Sequence, residues 1–285
     1  MGRMALVALV VVAGGCARKP AAENDARALE FRIESQPVRS LTARELTHSI
    51  KPGEIEVFEP YEKTNVVFTA LPLERVFDEA YGPSWREREA ILFTCRDGYQ
   101  PTIPVRRLLD KEGFLAIDRP GDVGFSILKE EEGEKRRVAL APFYVVWENL
   151  DDAHARSQGD YGWPYQVVAI DLVSFRSRFG AMAPPDDASA QVLAGFEAFV
   201  VHCSKCHAMN GQGGALGPEL NTPANPTEYM KDAWLRRWID DPASMRLNPR
   251  MPPLNRELPA RARVIDEIVA YLAAMASHKV EPREP

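Results

Sequence analysis

The stretch GFEAFVVHCSKCHAMNGQGGALGPEL, Gly195 to Leu220, decides how the rest of the chain is read. Within it Cys203 and Cys206 stand two residues apart, and His207 follows at once. Two thiols at that spacing can add to the two vinyl groups of one porphyrin, and the adjacent imidazole then lies under the iron as an axial ligand. A Cys-x-x-Cys pair is also half of a zinc site or a redox dithiol. Neither a second ligand pair at zinc-finger spacing nor a thioredoxin-like strand accompanies this one. The other histidines, His48, His154, His202 and His278, are scattered, and the residues before Cys203 read as a helix.

An iron held by His207 alone keeps one axial position open, and Met251 in LNPRMPPL is the candidate to fill it. A thioether is a soft ligand that favours ferrous iron and raises the potential. Pro249, Pro252 and Pro253 would hold that loop stiff, so little ordering is left for ligation to do. Packing in a core is the plainer role for a methionine.

From about Ala190 to Lys279 the chain resembles a class I cytochrome c domain: a first helix ending in CSKCH, then GALGPEL, WLRRWIDDP, the MPPL loop and a closing helix IDEIVAYLAAM. The resemblance implies an all-α fold for residues 190–279 and one covalent haem c. It also implies a role for Pro218, whose carbonyl would orient the His207 imidazole N–H.

The chain opens with MGRMALVALVVVAGGC: Arg3, an apolar run from Met4 to Ala13, and small residues ahead of Cys16. The run is too short to span a bilayer and reads as a signal peptide over residues 1–16, which places the mature protein in a periplasm-like compartment. Small residues before Cys16 resemble a bacterial lipoprotein box, although Ala13 stands where leucine is usual. Acylation of Cys16 and ordinary cleavage near it both fit. Residues 17–28 then suit a flexible tether.

Residues 29–179 have another texture. Short apolar and β-branched runs recur (FRIES, IEVFE, NVVFTA, AILFTC, PTIPV, FLAID, FSIL, RVALA, FYVVW, QVVAIDLVSF), separated by turn signals such as Asp97-Gly98 and Pro120-Gly121. Helix signals are short: LTARELTHSI with Ser40 as N-cap, LPLERVFDEAYG with Pro72 in its first turn, and VRRLLD after Pro104. The expectation is an α+β domain built mainly on strands. The order of FTALPLERVFDEAYG, AILFTCRDGYQPTIPVRRLL, FYVVWEN and WPYQVVAIDLVSF resembles the molybdopterin-binding domain of the sulfite-oxidase group. That group ligates molybdenum through a cysteine in a Cys-x-Gly-Asn-Arg type of loop, and no such loop is present. Cys95 at a strand end reads as a buried small hydrophobe, so molybdopterin is not expected.

Trp147, Glu148, Asn149, Tyr161, Trp163 and Tyr165 form an aromatic and polar cluster that suits either a binding cleft or a core. KEEEGEKRR, Lys129 to Arg137, reads as a charged hairpin tip. Residues 180–189 read as a linker with Asp187 or Ser189 capping the next helix, and residues 280–285 as a tail. The net charge of −6 argues against a nucleic-acid binder. From Arg236 to Arg263, however, seven arginines face Asp240, Asp241 and Glu257. That excess predicts a basic patch around Met251 and a redox partner with an acidic surface. The function expected is one-electron transfer, with residues 29–179 as a docking module. The alternative is the haem subunit of a sulfite-oxidase-like molybdenum oxidoreductase.

Overall fold

The computed structural model describes residues 28–121, 124–131, 134–151, 162–256 and 258–280. Cys16, His154, Tyr161 and Glu257 lie outside the described residues.

The N-terminal part is a mixed α/β domain. Strands β1 (Ala28–Ile33) and β2 (Gln36–Thr42) are followed by helix α1 (Ala43–Ser49), β3 (Gly53–Glu59), β4 (Thr64–Pro72), α2 (Leu73–Tyr81), β5 (Ala90–Cys95) and β6 (Thr102–Pro104). Then come α3 (Val105–Asp110), β7 (Gly113–Asp118), the hairpin β8 (Ser126–Glu131) and β9 (Glu134–Ala139), β10 (Tyr144–Trp147) and β11 (Val167–Val173). One sheet has the order β2-β1-β11-β5-β6, in which β1 and β11 run parallel; the other is the antiparallel β10-β7-β4-β3. The two sheets share one apolar core containing Phe31, Phe68, Trp85, Phe93, Trp147 and Trp163. Burial of such large side chains is the main source of this domain's stability.

Every apolar run read as a strand forms one, but β2 was not foreseen. Its residues are almost all exposed, so no alternating apolar face announces it. It ends at Thr42, which replaces Ser40 as the N-cap of α1: the Thr42 hydroxyl accepts from the Glu45 amide, and the Glu45 carboxylate accepts from the Thr42 amide. This capping box was legible as Thr-x-x-Glu. Pro72 is likewise the cap residue of α2 and not part of its first turn.

Of the aromatic and polar cluster, Trp147, Asn149 and Trp163 are core, and Glu148 and Tyr165 are half-buried. Trp147 and Trp163 are buried, and the Asn149 side chain bonds the Phe58 amide and carbonyl at 2.8 Å each. Cys95 is 4% exposed at the end of β5, and burial pushes its thiol well up. Glu59 is the unusual member of this interior. Its carboxylate accepts from the Tyr144 hydroxyl and from the Glu62 amide, both at 2.6 Å, yet burial raises its pKa above the ordinary value. A carboxyl with a raised folded-state pKa favours the fold most while protonated, and that contribution is lost as pH rises through the raised value. Glu59→Gln is therefore expected to flatten the fall in stability as pH rises above the ordinary carboxylate range. Urea midpoints followed upward from that range measure it.

Helix α4 (Phe175–Phe179) and a short 3-10 turn, Gly180–Met182, lead into the C-terminal domain. That domain comprises α5 (Ala190–His202), a two-residue hairpin at Ala208–Met209 and Gln212–Gly213, α6 (Pro226–Tyr229), α7 (Asp232–Asp240) and α8 (Arg261–Met275). Ser189 caps α5 by accepting from the Val192 amide. The segment read as the start of a linker is packed: Phe179 and Met182 belong to the C-terminal core, and the Tyr271 hydroxyl donates to the Met182 carbonyl at 2.7 Å. Helices α5 and α8 cross at Gly195, where the backbone lies against the Glu267 carbonyl and a Cβ would sit 2.8 Å from that of Tyr271. Only glycine permits helices to approach so closely.

Candidate haem-attachment site

Helix α5 ends at the motif. Cys203 is its C-cap, and the chain turns immediately, with the Cys206 and His207 amides both donating to the Cys203 carbonyl at 3.0 and 2.9 Å. This single tight turn brings two thiols and an imidazole to one end of the helix. Both sulfurs are free, and burial pushes the Cys203 thiol up to about 12 and the Cys206 thiol upward as well.

The imidazole is oriented from behind. Nδ1 of His207 lies 2.7 Å from the Pro218 carbonyl, so it carries the proton and leaves Nε2 with its lone pair outward. Gly217 makes room for the ring: a Cβ there would come within 2.7 Å of Nδ1, closer than real atoms approach. Burial lowers the His207 pKa, opposed by the hydrogen bond to Pro218, which keeps the ring neutral and able to bind a metal. These residues fit a haem c: two thiols in one turn, a neutral imidazole of fixed tautomer, and a glycine cradle beneath it.

Residues 192–276 match the family model described as cytochrome c. The C-terminal region is a cytochrome c domain. That family implies covalently bound haem c and a haem-based electron-carrier role. No curated protein matches the chain. Among the described residues no helix is long and apolar enough to cross a membrane.

The remaining parts of the cytochrome c domain hold two loops. Glu219 accepts from the Asn210, Gly211 and Asn221 amides, and the buried Asn225 side chain donates to Asn221 Oδ1 and to the Leu272 carbonyl, both at 2.9 Å. This network ties the segment after His207 to α8. The second loop carries Met251, which is half-buried. Arg261 anchors it, donating to the Leu254 carbonyl at 3.0 Å from Nη2 and to the Asp240 carbonyl at 2.6 Å while pairing with the Asp240 carboxylate.

The sequence places Arg261 in a surface patch and hides its anchoring role, because the bonds that hold the loop go to backbone carbonyls in addition to the Asp240 carboxylate. The patch itself is mostly compensated. Arg236 pairs with Asp232 and Asp266, Arg263 with Glu267 at 3.5 Å, and Arg256 with Asp241 at 3.8 Å. Asp232, Asp266 and Glu267 lie just outside the Arg236 to Arg263 stretch. Arg250, which precedes Met251, and Arg246 make no ion pair with a described residue. Arg261→Ala is expected to cost on the order of 2 kcal/mol and to loosen the Met251 loop first. Hydrogen exchange at the Leu254 amide, which bonds the Ile239 carbonyl at 3.1 Å, reads that loosening directly.

Proposed function

We propose that the chain is an exported monohaem electron carrier in which Cys203 and Cys206 hold the porphyrin, His207 and Met251 are the axial ligands, and iron passes single electrons between redox proteins. The observation that carries this reading is the bond from His207 Nδ1 to Pro218, which leaves Nε2 as the ligand in a turn that also supplies both thiols. Held by His207 and Met251 together, a haem would keep no position for substrate, and the chemistry it would supply is electron transfer.

The leader places the protein in the periplasm. Acylation of Cys16 would anchor it to a membrane. The N-terminal domain, whose sequence segments resemble those of the sulfite-oxidase group's molybdopterin-binding domain, serves as a docking module without that cofactor. Burial of Cys95 within the core supports this reading, because a molybdenum ligand must reach the pocket. Arg246 and Arg250, in the segment that leads to Met251, suit an acidic partner surface, whose encounter rate falls as salt screens it.

A spectroelectrochemical titration of the exported full chain, with iron and molybdenum analysis on the same sample, tests the proposal. One reversible one-electron wave, one iron per chain and no molybdenum are expected. Stoichiometric molybdenum would overturn the electron-carrier reading in favour of an oxidoreductase.

A further inference from the structure

The two domains meet on the haem-attachment loop itself. On the N-terminal side the contact is the turn after β5. The Gly98 carbonyl accepts from the Ala215 amide at 2.9 Å, and the Gln100 amide donates to the Lys205 carbonyl at 2.7 Å. These two bonds hold the loop on both sides of His207. Gly98 is fitted to the contact: its φ is +89°, and a Cβ would lie 2.9 Å from the Ala215 carbonyl carbon.

Between the two bonds stands Tyr99. Its half-buried side chain lines the groove between the domains together with Ser204 and Lys205, the two residues that precede Cys206. A second contact braces the first. Arg178 is 7% exposed and donates to Thr102 Oγ1 at 3.1 Å and the Gln100 carbonyl at 3.3 Å, while Gln212 bonds the Ser177 carbonyl at 2.6 Å and the Ala181 amide at 2.7 Å. A guanidinium is buried only where the surfaces around it stay together, because each opening and closing would otherwise repeat its desolvation.

We propose that the N-terminal domain is a fixed cover on the haem-attachment loop, in which Tyr99 is a positioning residue that keeps water away from Cys206 and thereby raises the potential of the attached haem. The inference rests on the reading of CSKCH as a haem site and gives the N-terminal domain a task beyond docking. Loss of an electron adds positive charge at iron, and nearby water stabilises that charge. A side chain standing in place of water therefore favours the reduced state.

The test uses the full-length holoprotein and three variants, Gly98→Val, Tyr99→Ala and Tyr99→Phe. Gly98→Val and Tyr99→Ala are expected to shift the reduced-to-oxidised ratio several-fold toward oxidised at a fixed poise, and Gly98→Val to speed exchange of the Gln100 and Ala215 amides. Tyr99→Phe keeps the ring and is expected to retain both wild-type values. Potentials and exchange rates equal to wild type in Gly98→Val and Tyr99→Ala, with haem bound and the fold intact, would overturn the cover. If the wild-type chain takes up no haem, the reading beneath the proposal fails and the claim about potential falls with it. The exchange rates of the apo chain then decide separately whether the clamp on the loop exists.

Discussion

Gly195→Val is expected to abolish the packed form of the cytochrome c domain. The wild-type crossing of α5 and α8 brings the Gly195 backbone onto the Glu267 carbonyl, and the first side-chain carbon would overlap that carbonyl before reaching Tyr271. Tyr271 cannot retreat, because it is fully buried, packs on Phe196 and Phe199 and donates to the Met182 carbonyl. The helices must separate instead, and with them the end of α5 that presents Cys203. Overpacking a core usually costs about 1–3 kcal/mol. Here backbone meets backbone over the largest helix contact of the domain, so a loss of more than about 4 kcal/mol is expected, a large share of a typical domain's stability. Gly195→Ala should lie between the two. Thermal unfolding followed by circular dichroism measures both, and a Val variant melting within a few degrees of wild type would contradict the crossing.

Met251→Leu has the second large expected effect, on the iron and not on the fold. Leucine keeps the apolar bulk and leaves the proline-stiffened loop and its Arg261 anchor in place. It removes the sulfur. Axial ligands govern a span of roughly 0.8 V across haem proteins, so loss of the thioether is expected to lower the potential by on the order of 0.1 V or more. It also opens a coordination site, and exogenous imidazole should then bind at low concentration. The variant should be about as stable as wild type without added ligand. An unchanged potential would show that Met251 is a packing residue only.

Much of this was readable beforehand, for reasons that differ between the domains. The geometry of the candidate site was legible because it is local in sequence: Cys203, Cys206 and His207 share one turn, and Pro218 reaches back across a single short loop. The strands of the N-terminal domain were legible because they are buried, as with YVVW and VVAIDLV. What stayed hidden was carried by polar residues acting at long range. The edge strand Gln36–Thr42 shows no apolar alternation, Arg261 bonds backbone carbonyls as well as Asp240, and Asp232, Asp266 and Glu267, which pair with Arg236 and Arg263, lie outside the Arg236 to Arg263 stretch. The seam between the domains was equally silent. Phe179 and Met182 look like the end of one domain and the start of a linker, yet they pack in the core of the other.

The central claim is that Cys203, Cys206 and His207 form a site for one covalently bound haem. The most direct measurement is the intact mass and the alkaline pyridine spectrum of the full chain, exported in a host that matures c-type cytochromes. The expected result is one haem per chain surviving denaturation, with neither Cys203 nor Cys206 open to alkylation after unfolding. A chain that is exported and folded, carries no covalent haem and yields both thiols to alkylation would contradict it.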